Sequence, residues 1–554
     1  MATPVLAVAV APDQPDMLQL APVGRYETGL FDQAAAEIVA YDDRSRRLFV
    51  VNAAQAQVEV LDARTPSAPT KLFDLMTVGV VAADGSTIPA GAIANSVDVR
   101  ADGLTAVAVQ SNPKTDDGYV VFFDGRSDSG QAMGAVRVGA LPDMLTFTAD
   151  GSRVLVANEG EPSEDFTVDP EGSIAVIDVP RAHTRPFRVP SQSDVRIADF
   201  HAYEDGGPRR LPEGVRIFGP TVNEEFPVSA NLEPEYITVD RASRTAYATL
   251  QEANAIAVVD ISTATVTEIW PLGTKDHSVE GNGIDPSDRD GAINIHPVPV
   301  RGMYQPDAIA SYTHQGQTYL VTANEGDVRE WGGYEEAARV GDLGEDGLAP
   351  LCTDVFADDV TDNDQLGRLN VSTASGLRAD GSCYEELYAF GARSFSIWTI
   401  DGELVWDSGD SFEQITAEAN PDFFNSNHTE SNFEGRSDDK GPEPEGVDIG
   451  VVGGRTYAFI SLERVGGIVA YDISDPRGPI FATYVNNRDF SVSVEDDGEE
   501  MLSLAGDLGP EGIVFIPASK SPLRGTPMLA VANEVSGTTA LFSADDRGQR
   551  RRAP

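Results

Sequence analysis

The stretch Leu141–Val179, LPDMLTFTADGSRVLVANEGEPSEDFTVDPEGSIAVIDV, contains a unit that recurs along the chain. A Pro-acid pair opens an apolar strand, a polar turn follows, a second apolar strand ends in Asn-Glu, and a third strand closes the unit. Each predicted strand has about four to eight residues and is bounded by Gly, Asp or Asn, which is typical of antiparallel sheets. The stretch therefore predicts one antiparallel sheet unit.

Six further segments carry the same pattern. Four begin with a Pro-acid pair and two upstream copies are degenerate; they start at Pro234, Pro306, Pro444, Pro510, Ala36 and Asn95. Sheets that cannot bury both faces alone stack radially and leave only short, protected edges. The sequence thus predicts an all-β fold, a seven-bladed β-propeller with long inserted loops. Paired β-sandwiches or a solenoid are the alternatives.

We expect one domain. The predicted propeller spans residues 25–545, with insertions at about 181–231, 274–303 and 329–440 and with terminal segments 1–24 and 546–554. Insertions of this length are usually functional or mobile. The segment that starts at Glu386 predicts a hairpin with its turn at Asp401-Gly402, so the last insertion is expected to supply strands to a blade.

Charge and composition exclude several classes of function. The 554 residues include 89 acidic and 40 basic side chains, which give a formal net charge of −49. This negative charge repels nucleic acid, so its role is expected to be either solubility or the binding of divalent cations. No stretch is apolar enough to predict a transmembrane segment. The N-terminus has no complete export signal. The two cysteines, Cys352 and Cys383, are expected to be a disulfide of a secreted, periplasmic or cell-surface protein, or two free thiols of a cytosolic one.

Acidic residues recur at two fixed positions of the repeat. A propeller copies each repeat position around its axis, so two tiers of carboxylates are expected to face the central channel. Crowded carboxylates need cations between them, and Ca²⁺ takes six to eight oxygen ligands. The alternative is that these acids cap turns or pair with arginines between blades. The predicted Ca²⁺ ligands are Asp143, Glu235, Asp307, Glu445 and Glu511 in the first tier and Glu159, Glu252, Glu325, Glu463 and Glu534 in the second. A second divalent or transition metal is a further expectation.

The segment from Lys275 to His296, KDHSVEGNGIDPSDRDGAINIH, is a second acidic concentration. Its Asp285, Asp288 and Asp290 favour either a calcium-stabilised turn or a catalytic role, although no EF-hand is predicted because no Glu follows at the twelfth position. His277 is a candidate proton donor or metal ligand, with an exposed loop histidine as the alternative.

Basic side chains precede the repeat unit that starts at Pro444. Arg436 and Lys440 stand beside carboxylates in RSDDKGPEPEGVDIG, and Arg464 follows Glu463. Fixed positive charge next to metal-binding acids is what a phosphoryl group needs. A solvated charged loop is the alternative. No Walker loop, G-x-S-x-G, H-E-x-x-H or C-x-x-C motif is present, which favours metal-activated water over nucleophilic catalysis.

Three motifs carry a resemblance to a known family: residues 141–179, the segments QPDAIASY and TYLVTANEGDVREW from residue 305 onward, and RSDDKGPEPEGVDIG. They resemble motifs of the choice-of-anchor I family of exported and surface proteins. The resemblance covers about residues 25 to 543. It implies export, a propeller and, through a calcium-requiring atypical alkaline phosphatase type, hydrolysis of phosphoesters. The family is named for its varied C-terminal anchors, and none is predicted from this sequence.

The leading hypothesis is a secreted, Ca²⁺-dependent phosphoric ester hydrolase that acts through metal-activated water. Its catalytic candidates are His277, Arg436, Lys440 and Arg464, and its partner is a small phosphoester. The first alternative is a non-catalytic, calcium-stabilised surface or matrix module that binds glycan or protein. The second is a propeller-type sugar or lactone hydrolase. Substrate, metal count and oligomeric state do not follow from the sequence.

Overall fold

The structure is a computed structural model, and it describes residues 7–10, 18–180, 186–220 and 227–546. Within these residues, six antiparallel sheets have four strands and one has five. We number these sheets 1 to 7 in chain order of their first, innermost strand. Because apolar residues fill both faces of most of the middle strands, each sheet needs a neighbour on either side.

The strands of each sheet run from the axis outward. Sheets 1 to 3 comprise Val39–Asp42, Arg47–Asn52, Gln57–Asp62 and Thr70–Met76; Ile93–Val99, Leu104–Gln110, Asp117–Asp124 and Ala132–Ala140; and Pro142–Phe147, Arg153–Asn158, Ser173–Asp178 and Val195–Ala198. Sheets 4 and 5 comprise Pro234–Val239, Thr245–Leu250, Ala255–Asp260 and Thr265–Pro271; and Ile309–His314, Gln317–Asn324, Ser394–Thr399 and Leu404–Asp407. Sheets 6 and 7 comprise Pro444–Val452, Arg455–Leu462, Ile468–Asp472, Ile480–Asn486 and Ala7–Val10; and Pro510–Ile516, Met528–Asn533, Thr538–Asp546 and Leu18–Glu27.

The sheets form a closed ring. The inner strand of each sheet contacts the inner strands of both neighbours, and the cycle closes between sheet 7 and sheet 1. Apolar clusters fill the interfaces, as Phe49 and Phe123 do between sheets 1 and 2, and Leu155 and Ile237 do between sheets 3 and 4. This arrangement confirms the predicted all-β propeller.

Early strands of the described chain pair with late strands in two of the sheets. The strand Leu18–Glu27 pairs antiparallel with Thr538–Asp546, so sheet 7 contains both an early and a late segment. Ala7–Val10 pairs with Ile480–Asn486 at the edge of sheet 6. Pairing between early and late strands holds the ring closed. Paired backbone therefore begins before residue 25, where the sequence placed the start of the propeller.

Two of the three insertions contribute strands to the ring. Val195–Ala198 is the outer strand of sheet 3. Ser394–Thr399 and Leu404–Asp407 form the expected hairpin, in which the Gly402 N–H donates to the Thr399 carbonyl at the Asp401-Gly402 turn. The insertion before them holds the bonded pair Cys352–Cys383, which has a Cα–Cα distance of 5.1 Å.

Short elements lie in the insertions and in the other connections between the strands. The remaining strands are Thr274–Asp276, Arg301–Met303, Glu330–Trp331, Tyr334–Glu335, Ala337–Arg339, Asn370–Ser372 and Tyr388–Ala389. The α-helices are Ser411–Ala419, Val494–Asp497 and Leu502–Ala505. The 3₁₀ turns are Ala53–Gln55, Gln192–Asp194, His201–Tyr203, Val228–Asn231, Val340–Asp342, Asp358–Thr361, Pro421–Phe423 and Glu499–Met501. Among the described helices, none has the length and apolar character needed to cross a membrane.

Candidate functional site

A repeated bulge places the first tier of acids. In sheets 3, 4, 6 and 7 the inner strand opens with Pro and an acidic residue, and its pairing with the second strand shifts register directly after that Pro. A bulge releases one residue from the ladder and re-aims its side chain. The residues released in this way are Asp143, Glu235, Glu445 and Glu511. In sheet 5, Asp307 lies two residues before the inner strand.

The second tier follows the ends of the second strands. Glu159, Glu325, Glu463 and Glu534 come directly after the last strand residue, and Glu252 comes two residues after it. The Glu159 N–H donates to the carbonyl of Leu141, the residue before the Pro-acid pair, at 2.8 Å. Leu141 has a φ of 44°, an unusual backbone for a leucine. This hydrogen bond fixes the height of one tier relative to the other.

All ten predicted acids lie together around the axis. Asp143, Glu159 and Glu235 offer carboxylate oxygens within 4.8 Å of one another. Charge repulsion on Asp307 comes first from Glu325, and that on Glu511 comes from Glu37 and Glu534. Repulsion on Glu235 includes Glu252, and that on Glu445 includes Glu463. The two tiers therefore form one electrostatic unit.

A cavity of about 710 Å³ opens on one side of this unit. Most of its lining comes from sheets 1, 2, 3 and 7, and Tyr236, Asp307 and Gly446 add contacts from sheets 4, 5 and 6. Its polar lining includes Glu37, Asp143, Glu159, Asp307, Glu511 and Lys114. The Lys114 ammonium pairs with Glu161, and both side chains are about a quarter exposed. A positive side chain therefore stands beside the acids where solvent enters.

Burial and mutual repulsion raise the pKa values of the channel acids. Burial raises the pKa of Asp143 to about 7, with the Glu161 charge as the second cause. Burial, with Glu233 next, raises the pKa of Glu252 to about 8. For Glu445, burial and then the charges of Glu325 and Glu463 raise the pKa well above its usual range. The same causes act on Glu159, Glu235, Asp307 and Glu511.

Most of these acids have no counter-charge in the described part of the chain. Among the described residues, no Lys, Arg or His forms an ion pair with nine channel acids, and two of these, Glu252 and Glu534, lie near the charges of Arg329 and Arg464. The other seven are Glu37, Asp143, Glu159, Glu235, Asp307, Glu445 and Glu511. The Oε2 atoms of Glu445 and Glu511 are buried without a hydrogen-bond partner. Unsatisfied buried carboxylate oxygens are costly, so an oxygen-seeking divalent cation of the Ca²⁺ type fits this donor set.

The opposite side of the channel holds three cations around one carboxylate. Glu443 is fully buried and contacts Arg436 Nη2 at 2.7 Å, Lys440 Nζ at 3.0 Å and Arg464 Nε at 3.0 Å. Lys440 also reaches Glu325 at 2.5 Å. Burial opposes ionisation of Glu443, but the three cations outweigh it and lower its pKa. The sequence-predicted cations thus lie together and are neutralised by acids; we call Arg436, Lys440, Arg464 and Glu443 the cationic cluster.

The cationic cluster continues to Glu463. Arg464 Nε lies 3.1 Å from this carboxylate, and His428 Nδ1 lies 3.0 Å from it. Arg464 Nη1 lies 2.7 Å from His428 Nε2 and 3.0 Å from its Nδ1, so the imidazole packs against Arg464 as well as against Glu463. Glu463 retains a lowered pKa because these positive and hydrogen-bonding partners outweigh its burial.

His277 lies apart from the channel. It is 2% exposed and Nδ1 is 2.6 Å from the Asn282 carbonyl. A Cβ atom at Gly302 would lie 2.3 Å from its Nε2, so the ring packs directly on that backbone. Burial, with the Lys275 charge next, lowers the pKa of His277 to about 3. His277 is not one of the described residues that line the cavity.

We expect His277→Asn to lower the free energy of unfolding at pH 7 by about 1–3 kcal/mol, since it leaves a small void at a buried site. The unfolded state of the wild type takes up a proton near pH 6.5 that the folded state refuses, so the contribution of His277 to wild-type stability falls as the pH drops below 6.5. Urea unfolding at pH 7 and pH 5 should show that acidification changes the free energy of unfolding more favourably in the variant than in the wild type. An equal change in both proteins would exclude a buried neutral His277.

Several site residues escaped the sequence analysis, although patterns for them exist. Glu-Pro-Glu occurs at 233–235 and 443–445. In both, the first Glu pairs with basic side chains and the second faces the channel. Glu233 binds Arg329 at 2.5 Å. The patterns NEGE and NEGD also place Glu161 and Asp327 beside the second tier. Glu37, in a degenerate repeat, has no Pro before it and gave no such pattern.

Two curated relatives share part of the sequence. Gigasin-3a of Magallana gigas is 33% identical over 188 residues, which cover 32% of this chain and 64% of that protein. The mesenchyme-specific cell surface glycoprotein of Strongylocentrotus purpuratus is 31% identical over 278 residues, or 44% of this chain and 35% of that protein. The chain thus spans less than two thirds of the length of these relatives.

Solved structures resemble the chain in fold. The WD40 domain of Toxoplasma gondii coronin is 7% identical, with a TM-score of 0.43, over 98% of this chain and 89% of that one. The Myceliophteria thermophila β-propeller domain of Cps50 (Swd1) is 10% identical, with a TM-score of 0.39, over 95% and 99%. The family model of the choice-of-anchor I domain matches residues 37–476, most of the 554-residue chain. The chain belongs to the choice-of-anchor I family.

Proposed function

We propose that the chain is a Ca²⁺-dependent hydrolase of phosphoric esters whose site is the central channel. The observation that supports this most is a set of seven carboxylates without counter-charges among the described residues, one of them buried and six half-buried, which borders an open cavity of about 710 Å³. A divalent cation relieves their repulsion, and the cavity admits a small ester. The proposal names a reaction class and leaves the alcohol part of the ester open.

The acids nearest the cavity would hold the cation. Asp143, Glu159 and Glu235 converge within 4.8 Å, and Glu511 adds an unpartnered oxygen. Bound there, Ca²⁺ would lower the pKa of a water and polarise a phosphoryl oxygen. An ionised channel carboxylate that does not hold the cation would accept a proton from that water.

Positive side chains on both sides of the channel would orient the phosphoryl group. Lys114 lines the cavity directly. The cationic cluster lies next to the first tier of acids. Its partners Glu325 and Glu463 are also the charged groups that raise the pKa of Glu445. Fixed cations stabilise charge on non-bridging oxygens without reorganising. His277 has no role in this proposal because it lies apart from the cavity.

We place the protein outside the cytoplasm. The disulfide Cys352–Cys383 is of a kind that persists in oxidising compartments. A relative bears the name of a cell surface glycoprotein. Both support an extracellular or periplasmic location.

The proposed activity is tested with p-nitrophenyl phosphate and bis-p-nitrophenyl phosphate. We expect turnover of at least one ester in Ca²⁺, its loss in EDTA and its recovery on adding Ca²⁺. Glu511→Gln should reduce kcat by at least about 100-fold, the scale of removing one electrostatic contributor. Glu403→Gln, which changes an exposed turn carboxylate, is the control and should leave kcat unchanged. Absence of turnover on both esters in Ca²⁺ would contradict the proposal.

A second candidate function has its own observation. Arg436, Lys440 and Arg464 are each bound to carboxylates at 3.1 Å or less, so these three charges are already neutralised. This is compatible with a non-catalytic surface module that Ca²⁺ stabilises, which is our second proposal. It predicts Ca²⁺-dependent melting without hydrolysis in the same assay.

A further inference from the structure

A third group of acids lies outside the channel. Asp285 and Asp290 belong to the insertion before sheet 5, and Glu434 belongs to the segment before sheet 6. One carboxylate oxygen of each lies within 4.8 Å of the others. Asp285 and Glu434 are 0% and 1% exposed, and Asp290 is partly exposed. About 140 residues of sequence separate the two segments, so only the fold brings these acids together.

Backbone donors hold the two aspartates in place. Asp285 Oδ2 accepts the Asn294 N–H at 2.8 Å, and Asp290 Oδ1 accepts the Ala292 N–H at 3.0 Å. Each of these hydrogen bonds fixes one carboxylate and leaves further lone pairs free. The two Asp side chains therefore form half of a prearranged oxygen cage.

Glu434 supplies the observation that points to a ligand. Its Oε1 atom is buried and has no hydrogen-bond partner among the described residues. Its backbone has a φ of 61°, a conformation that non-glycine residues rarely adopt, and its N–H donates to the Phe424 carbonyl at 2.8 Å. No described Lys, Arg or His forms an ion pair with Asp285, Asp290 or Glu434. A buried acid held in strained backbone against two other acids needs a positive partner.

Nearby charges are already committed elsewhere. Asp288, which the sequence groups with Asp285 and Asp290, binds Arg368 at 2.8 Å and so leaves the cluster. Arg393 binds Glu413 at 2.6 Å and donates to the Asp285 carbonyl rather than to its carboxylate. Within the described part of the chain, the cluster thus stays an all-oxygen site without protein cations.

We propose that Asp285, Asp290 and Glu434 form a second divalent-cation site, suited to Ca²⁺, that joins the insertion before sheet 5 to the segment carrying the cationic cluster. Carboxylate oxygens without His or Cys are the ligands of hard cations, and Ca²⁺ tolerates an irregular cage completed by water at the partly exposed Asp290. Glu434 lies two residues before Arg436, so a cation here orders the chain that positions Arg436, Lys440 and Glu443. The site is separate from the channel and stands whether or not the channel is catalytic.

A shared proton is the competing occupant. Glu434 lies close enough to Asp290 for one proton to bridge the two carboxyl groups. A proton would satisfy the same oxygen without any metal. The two occupants differ in their response to Ca²⁺, which gives the test.

The test is hydrogen exchange of the full chain after EDTA treatment, with and without added CaCl₂. We expect Ca²⁺ to slow exchange in peptides covering 284–294 and 430–440. Glu434→Gln should abolish this protection and lower the Ca²⁺ stoichiometry by one ion per chain. Asp288→Asn is the matched control from the same loop. In this variant Arg368 loses Asp288 but still pairs with Asp438 at 3.1 Å, so the protection by Ca²⁺ and the Ca²⁺ stoichiometry should both stay as in the wild type.

Three outcomes decide the proposal. Protection by Ca²⁺ in these peptides that survives in Glu434→Gln overturns it, as does the absence of any Ca²⁺ effect on them in the wild type. If Glu434→Gln does not fold, Asp290→Asn at the partly exposed position takes its place and should weaken Ca²⁺ binding by at least about tenfold. Glu511→Gln should leave these two peptides protected, which separates this site from the proposed channel site.

Discussion

Glu443→Gln is expected to lower the free energy of unfolding by about 3–5 kcal/mol, because removing one partner of a buried ion-pair network leaves uncompensated charge. Glu443 is 0% exposed and is shared by Arg436, Lys440 and Arg464. Gln keeps the shape but removes the charge that all three cations share. Urea unfolding at pH 7 measures the change, since Glu443 has a lowered pKa and is ionised throughout the neutral range.

A neighbouring acid provides the control for this prediction. Asp439 contacts Arg436 at 2.6 Å, but its side chain is 20% exposed. Asp439→Asn should therefore cost less than about 1 kcal/mol, as partly solvated pairs do. A loss below about 1 kcal/mol for Glu443→Gln as well would mean that the cationic cluster does not share this carboxylate.

Without Ca²⁺, stability is expected to fall by several kcal/mol as the pH rises from about 5 to 8, and Ca²⁺ should reverse this fall. Burial first, and then neighbouring charges, raise the pKa values of Asp143, Glu325 and Asp327 to about 7 and those of Glu252 and Glu534 to about 8. An acid with a raised folded pKa stabilises the protein below its unfolded pKa and loses that contribution as the pH rises through the folded value. A tenfold difference in proton affinity between the folded and unfolded states corresponds to about 1.4 kcal/mol for each acid.

Other titrating groups do not cancel this trend. Glu443 and Glu463 have lowered pKa values, so their contributions are complete above their unfolded pKa and stay constant in this window. His277 acts with the opposite sign near pH 6.5, but it is one group. Thermal melting in EDTA and in Ca²⁺, with NaCl of equal ionic strength as the control, measures the effect. A melting temperature in EDTA that stays level or rises between pH 5 and 8 would refute it.

The sequence predicts the ring and its acids because both depend on local repetition. A Pro-acid pair before an apolar strand marks the bulge that turns Asp143, Glu235, Glu445 and Glu511 into the channel. The Asn-Glu ending of the second strand marks Glu159 in the same way. These features need only one repeat unit to be recognised, and the ring closure then multiplies them.

What the sequence does not predict depends on contacts between distant segments. The Glu-Pro-Glu pattern marks Glu443 and Glu445 but does not reveal their partners: cations surround the first, and the second has none among the described residues. His277 becomes buried because an insertion folds over it, and its neighbours Gly302 and Asn282 belong to loops without a repeat. Glu434 meets Asp285 only through the packing of two insertions.

Calcium titration by calorimetry at pH 7, in two buffers of different ionisation enthalpy, tests the channel site most directly. We expect wild-type protein to bind Ca²⁺ with release of protons, because acids with raised pKa values must ionise to bind it. The double variant Glu445→Gln, Glu511→Gln should lose the channel ion and keep the ion at Glu434. Ca²⁺ binding that is absent in the wild type, or that is unchanged in stoichiometry and proton release in the double variant, would contradict a cation site in the channel.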